Sequence, residues 1–402
     1  MEDAKQMPKD ASLLDFVTSL ILGLSANDDE ARLKSILHDG SNKFTANMFN
    51  VLSGFSVMPL LGQLALASVG ESHDELLNSM GLANDNDTKA VFSYTNTLVR
   101  SVKNVTLKSA NKIYIRKGYE LNKSFAVVTR DVFGSEVQNI DFSNNVAAAN
   151  EINQWVEEQT NHQIKDLVEP DSFNGVTKSV LVNAIYFKGT WQHKFSKEAT
   201  SDKDFHTIFS KSKTTKVKMM YRKGYYNYAE SNELKAQILE LPYEGNEMSL
   251  VVILPRDFDG INELEETLKD PSALNSALND MYQKEVEVYL PRFKIETKTD
   301  LKELLKNLNV KKLFNSGEAR LDNLLNGATD LYVDSATQKA FIEVNEEGTE
   351  ATAANVFPIW LMPALPPSPL LIEIFCSMES TLLRPNCDLT SGRKFQCFKA
   401  NV

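Results

Sequence analysis

The sequence has little of what marks an enzyme or a metalloprotein. It carries Cys 3 in 402 residues, none of them before Cys376. Cys376, Cys387 and Cys397 are spaced neither as Cys-x-x-Cys nor as a zinc ligand set, so no metal site is expected and a disulfide-stapled scaffold is excluded. Gly 17 and Pro 13 are spread thinly. No stretch reads as a linker, which favours one large domain over the two or three that length alone suggests. No run reaches the ~18 consecutive apolar residues of a membrane span, so no membrane partner is expected. Positive charge is in deficit: Lys plus Arg 43 against Asp plus Glu 54 gives −11. Such a surface repels phosphate backbones, and nucleic acid is not an expected partner. Missing too are the Gly-x-Ser-x-Gly elbow, the phosphate loop, Gly-x-Gly-x-x-Gly and His-Glu-x-x-His, so neither a catalytic centre nor a cofactor is expected. His38, His73, His162, His193 and His206 sit in polar contexts and read as solvated surface residues. The adjacent Glu346 and Glu347 read as a solvated turn before they read as an acid–base pair.

What is present is a core. Hydrophobic residues make up 42% and charged residues 24%, the balance of a globular chain. The first third is mainly helical. Met48 and Phe49 mark one short apolar face, residues 60–69 are almost wholly apolar with Gly62 inside, and helical spacing recurs at 74–80, 88–102 and 147–159. From Ser179 onward β-branched and aromatic runs predict strands at 180–187, 235–241, 248–254, 286–290 and 293–297. Residues 301–308 return to helical spacing. Helices and strands without regular alternation predict an α+β fold with large sheets.

The N-terminus has the outline of a signal peptide. An apolar run at 16–24 is followed by Ser25 and Ala26 and then by Asn27-Asp28-Asp29-Glu30, which makes 1–26 a leader. An amphipathic first helix competes with that reading, because Asp3, Asp10 and Asp15 dilute the charge of Lys5 and Lys9. Asn86-Asp87-Thr88, Asn104-Val105-Thr106 and Asn122-Lys123-Ser124 match the glycosylation acceptor. Asn86, Asn104 and Asn122 would carry sugar on a secreted, extracellular protein.

The most informative stretch begins at Gln338. Residues 338–344 read as a strand, with Ala340, Ile342 and Val344 on one face and Lys339, Phe341 and Glu343 on the other. Then come Glu346, Glu347, Gly348, Thr349, Glu350, Ala351, Thr352, Ala353 and Ala354, a glycine followed by a row of small side chains. A helix or an acidic linker are the plain readings. A third reading accounts for more. Small residues at 349, 351 and 353 would let the segment enter a crowded sheet as an extra strand, with Glu350, Thr352 and Ala354 facing outward.

Four further motifs stand in order around this segment: Asn50-Val51-Leu52-Ser53-Gly54-Phe55-Ser56, Asn183-Ala184-Ile185-Tyr186-Phe187-Lys188-Gly189-Thr190-Trp191, Leu241-Pro242-Tyr243, and Val288-Tyr289-Leu290-Pro291-Arg292-Phe293-Lys294. With Val344-Asn345-Glu346-Glu347-Gly348-Thr349-Glu350-Ala351 they resemble the serpins, in particular secreted insect serpins of the antitrypsin and antichymotrypsin type. The resemblance runs from about 44 to 356. It implies one domain over 27–402 with about nine helices, three β-sheets and an exposed reactive-centre loop, the hinge and loop occupying 345–365. It implies no enzyme. A serine protease would cleave the loop, become an acyl-enzyme, and be distorted as the loop inserts into the main sheet. The partner would be that protease, in a covalent complex with a monomeric inhibitor. Ser53, Ser56 and Asn183 would line the point where the sheet opens, together with Gln338, where the family usually has histidine. Asn355 would face the core where the family usually has threonine, and its amide would need partners there.

Family spacing puts the reactive bond at Met362-Pro363, but proline after a cut site resists most serine proteases. Leu361-Met362 is the chemically better bond and suits a chymotrypsin-like or elastase-like pocket. Two departures stand out. The segment at 49–50 is short. Beyond Pro363 the family's two apolar closing strands are not both visible, since 370–375 could be one strand and the rest of 366–402 is a polar, Cys-bearing tail. The competing reading is therefore a non-inhibitory protein of the same fold, or a form disabled by its tail.

Overall fold

The computed structural model describes Arg32, residues 54–207, 210–257, 260–328 and 330–361, and the short stretches 383–385 and 394–396. The leader at 1–26, Met48, Phe49, Ser53, Met362, Pro363 and 370–375 lie outside the described residues.

A main sheet carries the architecture. Its strands are β1 (Thr106–Arg116), β2 (Glu136–Ile140), β3 (Thr177–Thr190), β9 (Phe293–Asp300), β10 (Leu331–Val333), β11 (Thr337–Val344) and β12 (Gly348–Leu361). They lie in the order β2-β1-β3-β12-β11-β9, and β10 pairs with the far end of β12. A second sheet contains β4 (Ser201–Thr207), β5 (Ser210–Ser231), β6 (Ala236–Pro242), β7 (Ser249–Pro255), β8 (Tyr282–Pro291), β13 (Leu383–Pro385) and β14 (Lys394–Gln396). Its long strand β5 pairs with β4, β8 and β6 in turn. One strand thus runs through what would otherwise be two small sheets, and two sheets stand among the described residues where three were expected. The helices described number eight, against an expected nine.

Helix α1 (Gly54–Ala67) is the long apolar run of the sequence, GFSVMPLLGQLALA. It is buried from Ser56 onward because it lies under the main sheet. Val57, Leu60 and Leu64 share a core with Ile113, Leu181, Phe357 and Ile359, and each such buried side chain contributes about 1.5–3 kcal/mol. Gly62 is required by packing, since a Cβ there would meet the Phe92 ring at 2.4 Å. Gln63 accepts from the Thr129 hydroxyl at 2.6 Å and the Ser135 hydroxyl at 2.8 Å, so the polar group is satisfied.

Helices α2 (Glu71–Met80), α3 (Asp85–Ser101) and α4 (Lys123–Phe133) complete this side of the core. Asn84 caps α3 by accepting from the Asp87 amide at 2.9 Å, and Asn122 caps α4 by accepting from the Ser124 amide at 3.0 Å. Such caps are worth about 1 kcal/mol each. On the other face of the main sheet, α5 (Asn145–Gln159) and the chain after it cover Val180, Val182, Ala184, Ala354 and Val356 with Ile152, Trp155 and Val156. Helices α6 (Ile261–Thr267) and α7 (Pro271–Asn279) back β6 and β7, and α8 (Leu301–Asn307) follows β9.

The resemblance implied an exposed loop after the hinge. Residues 348–361 are instead strand β12, buried between β3 and β11. The physical reason is the slot itself. β12 pairs on one side with β3 from Gly348 to Trp360 and on the other with β11 from Thr349 to Val356, so its backbone groups find ladder partners on both sides.

Candidate functional site: the inserted strand and its sockets

The turn into β12 is built by Asn345. Its Oδ1 accepts from the amides of Glu347 at 3.0 Å and Gly348 at 3.3 Å, and its own amide donates to the Gly348 carbonyl at 3.0 Å. Trp191 holds the turn from outside, donating Nε1–H to the Asn345 carbonyl at 2.8 Å and its backbone N–H to the Glu347 carbonyl at 2.9 Å. The Trp191 ring stacks on Tyr243 at 4.8 Å, so two of the sequence motifs meet over the hinge.

The two adjacent glutamates differ sharply. Glu346 is 4% exposed. It accepts from the Thr200 hydroxyl at 2.8 Å and faces Arg292 Nε at 3.5 Å, the compensation a buried carboxylate needs. Glu347 is solvated between Lys194 at 3.0 Å and Lys197 at 3.2 Å. Hydrogen bonds from those lysines hold its carboxyl below the ordinary range. Glu346 and Glu347 therefore form no acid–base pair.

Along β12 the faces alternate. Thr349, Ala351 and Ala353 pair with Val344, Ile342 and Ala340 of β11. Glu350, Thr352 and Ala354 occupy the opposite face. Thr352 and Ala354 are buried there as well, because α5 and the chain after it cover that side. Glu350 accepts from the Tyr186 hydroxyl at 2.8 Å and from Gln163 Nε2 at 3.3 Å. Burial first, and then Glu350, push the Tyr186 hydroxyl up to about 12.

Farther along, a polar row crosses the sheet. Asn111, Asn183, Asn355 and Gln338 are register partners on β1, β3, β12 and β11. Asn183 Nδ2 donates to Asn111 Oδ1 at 3.0 Å, and Gln338 Nε2 donates to Asn355 Oδ1 at 3.0 Å. Asn355 Nδ2 lies 3.0 Å from the Ser56 carbonyl, 3.1 Å from Ser56 Oγ and 3.2 Å from Asn183 Oδ1. Gln338 Nε2 also donates to Ser56 Oγ at 2.9 Å. Ser56, Asn183, Gln338 and Asn355 are each 0% exposed. Asn111 joins this row although its sequence context did not single it out. No signal in the sequence marked it, since Lys108 and Lys112 interrupt the apolar alternation of β1.

The strand continues to Leu361. The Leu361 amide donates to the Val176 carbonyl at 3.0 Å, and residues 359–361 pair with β10 on the other side. Pro358, which lacks an N–H, directs its carbonyl to the Asp334 amide at 3.0 Å. That edge faces 334–336, between β10 and β11, where no ladder partner is needed. Of the three residues read as the reactive bond, Leu361 is the last described residue of β12, and Met362 and Pro363 lie outside the described residues.

The acceptor asparagines are dispersed. Asn86 is exposed in the first turn of α3, Asn122 caps α4, and Asn104 Nδ2 donates to Glu247 at 3.1 Å. Among the described residues no helix is long and apolar enough to cross a membrane.

A family model described as Serpin (serine protease inhibitor) matches residues 39–373. The chain is a serpin. As such it is an inhibitor fold and not an enzyme. It is 58% identical to alaserpin of Manduca sexta over 352 residues, covering 84% of this chain and 89% of that one. It is 52% identical to antichymotrypsin-2 of Bombyx mori, with 85% and 93% covered. Among solved structures, a cleaved serpin 42Da superposes with a TM-score of 0.76 at 36% identity, covering 80% of this serpin and 88% of that chain. Emu ovalbumin superposes with a TM-score of 0.77 at 26% identity, with 83% and 92% covered.

Proposed function

We propose that this serpin is a suicide inhibitor of serine proteases with an apolar, chymotrypsin-like or elastase-like primary pocket. The observation that carries this reading is the fit of 348–361 as a strand between β3 and β11, paired along most of its length. Its relatives' names, antichymotrypsin-2 and antitrypsin of Bombyx mori, support a serine protease as the target. The protease serine attacks the carbonyl of the residue before the cut, the C–N bond breaks, and the new amine leaves with a proton. The serine is left as an ester on the bait. Leu361-Met362 is the favoured bond, since proline after Met362 resists cleavage there, and an acyl group on Leu361 would be carried to the far end of the sheet. Insertion before hydrolysis then traps the enzyme, and the form described above is the relaxed end of that path.

The inhibitor acts as a monomer outside the cell, with 1–26 as leader, 27–402 as one domain, and sugar at Asn86, Asn104 or Asn122. A second reading has its own support. The intact chain holds 348–361 inside the sheet, and a chain already inserted offers no bait. Incubation with chymotrypsin, elastase and trypsin, followed by a denaturing gel, separates the two. A covalent band near the summed masses is expected. Quantitative loop cleavage with free protease, or an untouched loop, overturns the inhibitory reading.

A further inference from the structure

The inner face of β12 carries one carboxamide in an otherwise small or apolar set: Thr349, Ala351, Ala353, Asn355, Phe357 and Ile359. At the level of Asn355 the slot is polar, because the buried side chains of Asn183, Gln338 and Ser56 converge there. We infer that Asn355 is the residue that sets the register of the inserted strand, by pairing with Gln338 at this level. A slip of one residue would turn Asn355 toward α5 and Trp155. A slip of two would bring Ala353 or Phe357 against Asn183 and Gln338, removing the hydrogen bonds that Asn355 makes with them. Among the other inner-face residues, Thr349, Ala351 and Ala353 discriminate weakly, because small side chains fit each other's places. Asn355 is six residues from Leu361, so it is a positioning residue that never meets the protease. Its consequence for trapping rests on the inhibitory reading, whereas the register itself is read without protease.

The test uses the full chain with Cys376, Cys387 and Cys397 changed to serine and one engineered cysteine pair. Ala340 faces Ala353 across β11 and β12, so Ala340→Cys with Ala353→Cys reports the native register. Ala340→Cys with Ala351→Cys reports a two-residue slip. With Asn355 present, only the first pair should form a disulfide. Asn355→Leu should raise the slipped cross-link at least about five-fold, the effect of losing one buried hydrogen bond. Native cross-linking at the parent level with no slipped product overturns the inference. So does expulsion of the strand with neither cross-link, since the amides would then govern entry and not register. Gln338→Met carries the same expectation and the same contrary results, should the Asn355 variant not fold.

Discussion

Gly348 and Gly189 meet backbone to backbone: a Cβ on Gly348 would lie 1.9 Å from the Gly189 carbonyl oxygen and 3.0 Å from Thr190 Cα. No rotamer relieves a clash with backbone. Gly348→Ala should therefore destabilise the inserted form by about 1–3 kcal/mol and divert reacted inhibitor from covalent complex to cleaved chain. Complex yield on a denaturing gel checks it, and an unchanged yield would refute the tight approach.

Thr349 is 3% exposed and lies beside Tyr243. Thr349→Arg would place a charge there with no partner, at a cost of several kcal/mol. Inhibition should give way to simple proteolysis. Equal complex formation by the variant and the parent would contradict insertion at this position.

A pH effect should come from His73, which ties the starts of α2 and α3 together. Its Nδ1 lies 3.0 Å from Asp74 and its Nε2 lies 2.7 Å from Asp85. Burial lowers its pKa, but the hydrogen bonds and charges of Asp85 and Asp74 outweigh it and the net shift is upward. A folded pKa raised above the unfolded value stabilises fully below about 6.5 and is lost as pH rises through the folded pKa. Urea midpoints from pH 5.5 to 8.5 should fall more steeply for the parent than for His73→Gln. Parallel curves would remove His73 from the pH dependence.

Much of this arrangement was legible in the chain. The apolar run at 60–69 supplies the second half of buried helix α1, which ends at Ala67, and the small residues at 349, 351 and 353 point inward as their spacing requires. Asn355 was readable as a core amide in need of partners. The resting place of 348–361 was not legible, because Gly-Thr-Glu-Ala-Thr-Ala-Ala has little strand propensity of its own. Its conformation is supplied by β3, which is distant in sequence, together with β11 across the turn at 345–347. Burial of Thr352 and Ala354 was hidden for the same reason, since α5 lies some 200 residues upstream. Strand β1 mixes Lys108, Asn111 and Lys112 among its apolar positions, so no alternation betrayed it or the membership of Asn111 in the polar row.

The most direct test of the central claim, that 348–361 is the strand whose entry drives trapping, is thermal unfolding before and after a single cut between 357 and 365. A freshly folded, inhibitory chain should melt lower than its cleaved product. The rise should be at least about 10 °C, because a whole strand gains ladder hydrogen bonds at about 1 kcal/mol each. An unchanged or lower melting temperature, with the cut verified by mass, would contradict it.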